Sequence, residues 1–156
     1  MDRDAEVANL GIVRPPLVYS VSIAAGVALQ LAWPFGFVPA GVGAPLGAIA
    51  VAVAIVLFLL AVRSFRRAGT PVPGNRPTTA IVRTGPYRYS RNPIYLAFSL
   101  LQLGIALWVN SIWLVLTLVP AVLLMSLVVI PREEAFLAAR FPSEFLPYKD
   151  SVRRWL

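Results

Sequence analysis

Long apolar blocks separated by short polar ones set the pattern of this chain. The blocks run through residues 17–33, 42–62, 94–109 and 112–130. None alternates apolar and polar positions with period two, and an open sheet edge has no hydrogen-bond partner in lipid, so strands are excluded there. A membrane-crossing helix needs about 20 apolar residues. The second and fourth blocks meet that length, and the first meets it once the apolar run is extended to 37. The third is short, and is expected to start below the membrane surface after Pro93 or to tilt. The pattern therefore predicts an all-α integral membrane protein of one domain, 1–156, with about four transmembrane helices at 17–37, 42–62, 94–109 and 112–130. A cytoplasmic loop at 63–93 and a cytoplasmic C-terminal cap at 131–156 complete it.

Punctuation residues refine these elements. Asn110 and Ser111 predict a tight turn that makes a helical hairpin of the last two spans. Pro120, inside the fourth block, is expected to kink it, whereas Pro45 falls in the first turn of the second helix. Pro71, Pro73, Gly74 and Pro77 prevent a continuous helix in the loop. Gly85-Pro86 marks a turn, Pro93 suits the first position of the third helix, and Asn92 is placed to cap it. Pro131 would open a cytoplasmic helix carrying Glu133 and Glu134 in its first turn. Phe141, Phe145, Tyr148, Val152, Trp155 and Leu156 form a loosely helical apolar pattern that Pro142 and Pro147 break into a folded flap against the membrane surface. Gly41, Gly43 and Gly47 have the wrong spacing for a nucleotide loop, follow no strand and open a lipid-length helix, so they read as helix packing or a loose turn. Gln102, inside the third block, reads first as an interhelical hydrogen-bonding group, and second as a pocket residue.

Composition agrees with a lipid environment. Hydrophobic residues make up 58% and charged residues 13%, about half the charge of a soluble domain. The 14 Lys plus Arg against 7 Asp plus Glu give a net charge of +7, but a nucleic-acid binder would spread many more charges over its surface. Here no acidic residue occurs between Glu6 and Glu133, and the arginines sit beside apolar blocks, where anionic lipid headgroups lie. Arg3 and Arg14 occupy the N-terminal tail, seven arginines the 63–93 loop, and five basic residues the C-terminal tail, while 34–41 and 110–111 carry none. That asymmetry places both termini and the long loop in the cytoplasm, at the cytoplasmic membrane. The tail before the first block mixes Asp2, Asp4 and Glu6 with Arg3, unlike a cleaved signal peptide, so the first block is expected to be a retained anchor. The chain has no cysteine and no histidine, which excludes disulfides, thiolate chemistry and histidine as base or metal ligand.

Chemistry concentrates in two segments. In GPYRYSRNPIY, 85–95, a turn, a helix start, three tyrosines and two arginines converge. Helix starts present free N–H groups that suit a ligand carboxylate. In the tail, Glu133 and Glu134 are the first acids since Glu6, and the hairpin brings them near Arg91 and Asn92. One of them is expected either to pair with a loop arginine or to face a cationic or hydroxyl-bearing ligand. Arg153 and Arg154 near the end suit phosphate or substrate contact.

The order and spacing of GPYRYSRNPIYL at 85–96 and EEAFLAARFPSEFLPYKDSVRRWL at 133–156 resemble the superfamily of isoprenylcysteine carboxyl methyltransferases and phospholipid N-methyltransferases. That resemblance covers about the last 80 residues. It implies S-adenosyl-L-methionine as cofactor, held between the last two spans and the C-terminal segment. It also implies cofactor-binding roles for Gly85, Tyr87, Arg91, Asn92, Pro93, Tyr95, Glu133 and Glu134, and catalytic roles for Glu133 and for a tail arginine, Arg153 or Arg154. The superfamily most often has histidine at the position of Asn92, which weakens the case for carboxyl methylation of isoprenylcysteine. The expected reaction is methyl transfer to a lipid or small hydrophobic acceptor entering from the bilayer. A lipid-binding scaffold that has lost the cofactor and an isoprenylcysteine-type carboxyl methyltransferase remain alternatives. The sequence is silent on oligomeric state.

Overall fold

A computed structural model of the chain describes residues 14–39, 41–72 and 78–156, and among them the regular structure is all helical. Asp2, Arg3, Asp4 and Glu6 of the N-terminal tail, and Pro73, Gly74, Arg76 and Pro77 of the loop, lie outside the described residues. Helix α1 spans Pro15–Ala32, α2 Gly43–Arg67, α3 Pro93–Trp108 and α4 Ile112–Leu124. A wide π turn, Met125–Val129, carries α4 directly into α5, Ile130–Arg140, and α6, Pro142–Ser151, follows. Three helical stretches are long and apolar enough to cross a membrane: α1, α2 and the continuous Ile112–Arg140. The fourth apolar helix, α3, has 16 residues, or about 24 Å of length, short of a bilayer core of about 30 Å. This is an integral membrane protein. Its outward residues suit lipid, since Leu31 is 79% exposed and Leu127 72%.

Several boundaries differ from expectation for identifiable reasons. The first span does not continue to 37. It starts two residues early, on the paired Pro15-Pro16, and stops at Ala32, because Pro34 disfavours helical geometry at the residue before it and Trp33 adopts φ −137, ψ 81. The second span runs on to Arg67, so the loop begins later than 63. Pro131 does stand in the first turn of α5 with Glu133, as expected, but α5 is not a separate helix: it continues from α4 through the π turn. The continuous stretch Ile112–Arg140 runs through both Pro120 and Pro131, and its departure from α geometry falls between them. There the Ile130 N–H donates to the Met125 carbonyl, one residue farther back than in an α-helix. That shift passes over the Ser126 carbonyl, and Pro131 has no N–H to offer it. Arg154 donates to it instead, at 3.3 Å. In the tail Pro142 starts α6, and Pro147 is accommodated within it, where exposed Ser143 provides the carbonyl that loses its donor. Asn92 sits at the N-cap of α3 but does not cap it with its side chain; Ser90 Oγ accepts from the Asn92 N–H at 3.1 Å.

The helices pack in the order α2, α3, α4, α1, with α1 also touching α3. Small residues permit the closest crossing. A Cβ on Gly43 would lie 2.6 Å from the Leu107 carbonyl, and one on Gly104 would lie 2.9 Å from the Val51 nitrogen, while one on Gly47 would collide with the Trp108 backbone. Backbones therefore touch directly, as in the small-residue interfaces of membrane helices. Gln102, fully buried, ties α3 to its neighbours, with Nε2 donating to Ser22 Oγ at 2.7 Å and the Leu114 carbonyl at 3.1 Å. A cluster of Tyr19, Phe65, Tyr87, Tyr95, Met125 and Ile130 fills the basic end of the bundle, and Phe65, Tyr87 and Tyr95 of it also line the site described next.

Candidate active site

Gly85 and the turn after it set one wall. Gly85 has φ +61, and a Cβ there would press on Ser64 Oγ, so only glycine lets the 3-10 turn Gly85–Arg88 seat against α2. This directs Tyr87 inward, where its ring meets Phe65 edge-on at 5.2 Å, and leaves Arg88 and Tyr89 outside. Pro93 then starts α3, so Arg91 and Asn92 stand at the helix mouth and Tyr95 one turn in.

The tail returns to close the other wall. The Arg91 N–H donates to the Arg153 carbonyl at 3.0 Å, and Asn92 Nδ2 donates to the Arg154 carbonyl at 3.0 Å. The Arg91 guanidinium reaches the Lys149 carbonyl at 2.6 Å, and Tyr148 Oη donates to the Tyr87 carbonyl at 2.7 Å. Burial pushes the Tyr148 hydroxyl up to about 12 despite the nearby Arg91 and Arg83 cations. Burial, followed by the charges of Tyr148 and Glu133, also raises the Tyr87 hydroxyl. Both phenols stay protonated at neutral pH, so Tyr148 remains a donor to this wall. Arg83 lies over the Tyr148 ring, 5.8 Å from its centre, and donates to the Glu144 carbonyl.

The adjacent acids have different surroundings. Glu134 is clamped between Arg91 Nη2 at 3.0 Å and Arg154 Nη2 at 2.8 Å. The Glu134 contact raises the Arg154 pKa. Glu133 has no arginine partner among the described residues; it accepts from Tyr95 Oη at 2.6 Å. Between these walls lies a cleft of about 700 Å³, its open mouth included, lined by Tyr87, Arg91, Asn92, Tyr95, Glu133, Glu134 and Tyr148 with apolar neighbours such as Phe65, Val82 and Phe145. The Arg91 Nε is buried and has no hydrogen-bond partner among the described residues.

Six of the residues singled out from sequence line this cleft: Tyr87, Arg91, Asn92, Tyr95, Glu133 and Glu134. Gly85 and Pro93 shape its wall from behind and line a different groove. Arg153 contributes its backbone carbonyl while its side chain is exposed, and the tail arginine that reaches Glu134 is Arg154. Gln102 does not line the cleft. Sequence reasoning missed Tyr148 and Phe65 as site residues. The only available signal for Tyr148 was a phenol within the apolar pattern of the tail.

The phospholipid methyltransferase family matches residues 42–144, well over half of the sequence. The chain belongs to that family. The match runs from the start of α2 into α6 and takes in both acids and the whole arginine-tyrosine segment, but not Tyr148, Arg153 or Arg154. An uncharacterized protein of Haemophilus influenzae is 35% identical over 63 residues, 40% of this chain and 100% of that protein. No solved structure matches. The match agrees with the expected superfamily and does not fix one enzyme within it.

Proposed function

We propose that this protein transfers a methyl group from S-adenosyl-L-methionine to a lipid or small hydrophobic acceptor at the boundary between membrane and cytoplasm. Family membership supports the reaction class. The observation that carries the site is the pairing of an arginine-free carboxylate, Glu133, with a buried, unpartnered Arg91 Nε in one aromatic cleft. This donor set fits the cofactor. Arg91 and Asn92 would hold its carboxylate, Glu133 would face its cationic part, and Tyr87, Tyr95 and Tyr148 would pack against its flat base. When bound, S-adenosylmethionine supplies a methyl group on a sulfonium with a neutral thioether as leaving group.

The chain's own part is alignment, since in-line displacement depends on proximity and orientation. Glu134, fixed by two arginines, holds Arg91 and the tail in register. Tyr95 orients Glu133 through its hydroxyl. Glu133 can take the proton released by an amine acceptor, or face the cationic charge of the donor. A carboxylate acceptor would need a positive clamp instead, which the exposed Arg153 guanidinium could provide. The basic end faces the cytoplasm on this reading, with both termini there and α3 as a fourth, short crossing packed within the bundle. A water-soluble donor then enters from the cytoplasm and an oily acceptor laterally from the bilayer, and nucleic acid has no part.

The reading is tested by incubating the purified, detergent-solubilised protein with methyl-labelled cofactor and fractionated membrane lipids. Label in a lipid fraction, lost in Glu133→Gln, is the expected result. Absence of label from every fraction, with the cofactor shown to be bound, would make the protein a cofactor-binding scaffold instead.

A further inference from the structure

Behind the Tyr87–Arg91 wall lies a second groove of about 1060 Å³, its open mouth included. Arg63 and Arg67 line it from α2 and Arg88 from the 3-10 turn, with Leu57, Leu60 and Leu96 on its membrane side. Arg63 and Arg67 are one helical turn apart and so share a face, and the seating of Gly85 on Ser64 brings Arg88 up to them. All three guanidiniums are exposed, and none makes a hydrogen bond or ion pair with another described residue. No acidic side chain is among the residues lining the groove. Like-charged groups gathered without a counterion repel one another, so their juxtaposition calls for an external anion. The leucines below continue the apolar surface of α2, where Leu59 and Leu60 are 58% and 48% exposed. Headgroup height at the end of a membrane helix is where a phosphate attached to acyl chains resides.

We propose that this groove is a binding site for an anionic glycerophospholipid, with the phosphate among Arg63, Arg67 and Arg88 and an acyl chain along Leu57, Leu60 and Leu96. It is separate from the cleft holding Glu133 and goes beyond the methyl-transfer reading, since it stands whether or not that reading does. The Tyr87–Arg91 segment is the wall common to both, lining the cleft with Tyr87 and Arg91 and the groove with Arg88 and Tyr89.

Native mass spectrometry of the full chain in detergent, titrated with phosphatidylglycerol, phosphatidylcholine or inorganic phosphate, measures this site. The expected result is one tightly retained phosphatidylglycerol, with affinity falling roughly tenfold or more in the combined variant Arg63→Gln, Arg67→Gln, Arg88→Gln, and unchanged in Arg66→Gln, which lies outside the groove. Equal loss in Arg66→Gln would show diffuse charge attraction and overturn the site. Inorganic phosphate that displaces the lipid at equal concentration would overturn the lipid as its occupant. Because the combined variant could misfold, a diazirine-bearing phosphatidylglycerol applied to the unaltered protein gives a second readout. Crosslinks within 57–67 or 84–96 support the groove, and crosslinks confined to other segments contradict it.

Discussion

The two ends of the helix bundle each carry an asparagine beside a helix start, and they use it differently. At the uncharged end, Asn110 accepts from the N–H groups of Phe37 and Val38, both at 2.9 Å, and donates to the Val38 carbonyl at 2.9 Å. Its side chain is consumed in latching one loop. At the basic end, Asn92 donates once, to the tail, and beside it stand an unpartnered Arg91 Nε and a carboxylate held only by a tyrosine. Buried polar groups ordinarily find partners. The buried Gln102 Oε1 also lacks a partner but faces no cleft, so what sets the basic end apart, on the proposed reading, is that its unpartnered groups open onto one.

The strongest way to break this contrast is Glu133→Gln. The amide keeps the size and the Tyr95 contact but loses the charge, so the account expects methyl transfer to fall about 100-fold or more, with thermal unfolding in detergent almost unchanged. A large drop in unfolding temperature would make Glu133 architectural too. Next is Gly47→Val, which inserts a branched side chain where the α2 and α3 backbones touch. Overpacking of about 1–3 kcal/mol or more is expected, read as a lowered unfolding temperature and loss at both ends together. Glu134→Gln should leave Arg91 and Arg154 without their shared carboxylate. Its cost is expected at about 2 kcal/mol, below the 3–5 of a fully buried pair, because the Arg154 side chain is 36% exposed. Faster proteolysis within 141–156 would report the released tail. Asn110→Ala should cost about 1 kcal/mol of stability and leave cofactor affinity unaltered. Gln102→Leu is expected to cost least, about 0.6 kcal/mol, as is common for hydrogen bonds between membrane helices.

How far the chain's sequence disclosed this arrangement differs between elements. Apolar block length placed α2 and α4 well, because lipid imposes a long uniform helix. It overran α1, because the apolar residues after Pro34 remain compatible with the membrane while the backbone before a proline does not remain helical. It separated α5 from α4 at Pro131, whereas the two are continuous through a π turn whose freed Ser126 carbonyl is met by Arg154, a residue remote in sequence. At the site, Arg91, Asn92, Glu133 and Glu134 were legible as scarce polar groups beside helix starts. Which acid pairs with arginine was not legible, since adjacent helical residues point in different directions and only the fold decides which meets Arg91. Tyr148 was hidden for the same reason: its contact with the Tyr87 carbonyl spans 61 residues.

The central claim is that the tail folds back to present Glu133, uncommitted to any arginine, to a cationic donor. Calorimetric titration of the solubilised full chain with S-adenosylmethionine and with its neutral product, S-adenosylhomocysteine, tests it directly. The account predicts saturable binding of both, with Glu133→Gln weakening the cationic compound far more than the neutral one. Equal affinities for the two compounds in both proteins, or no saturable binding by folded protein, would contradict it.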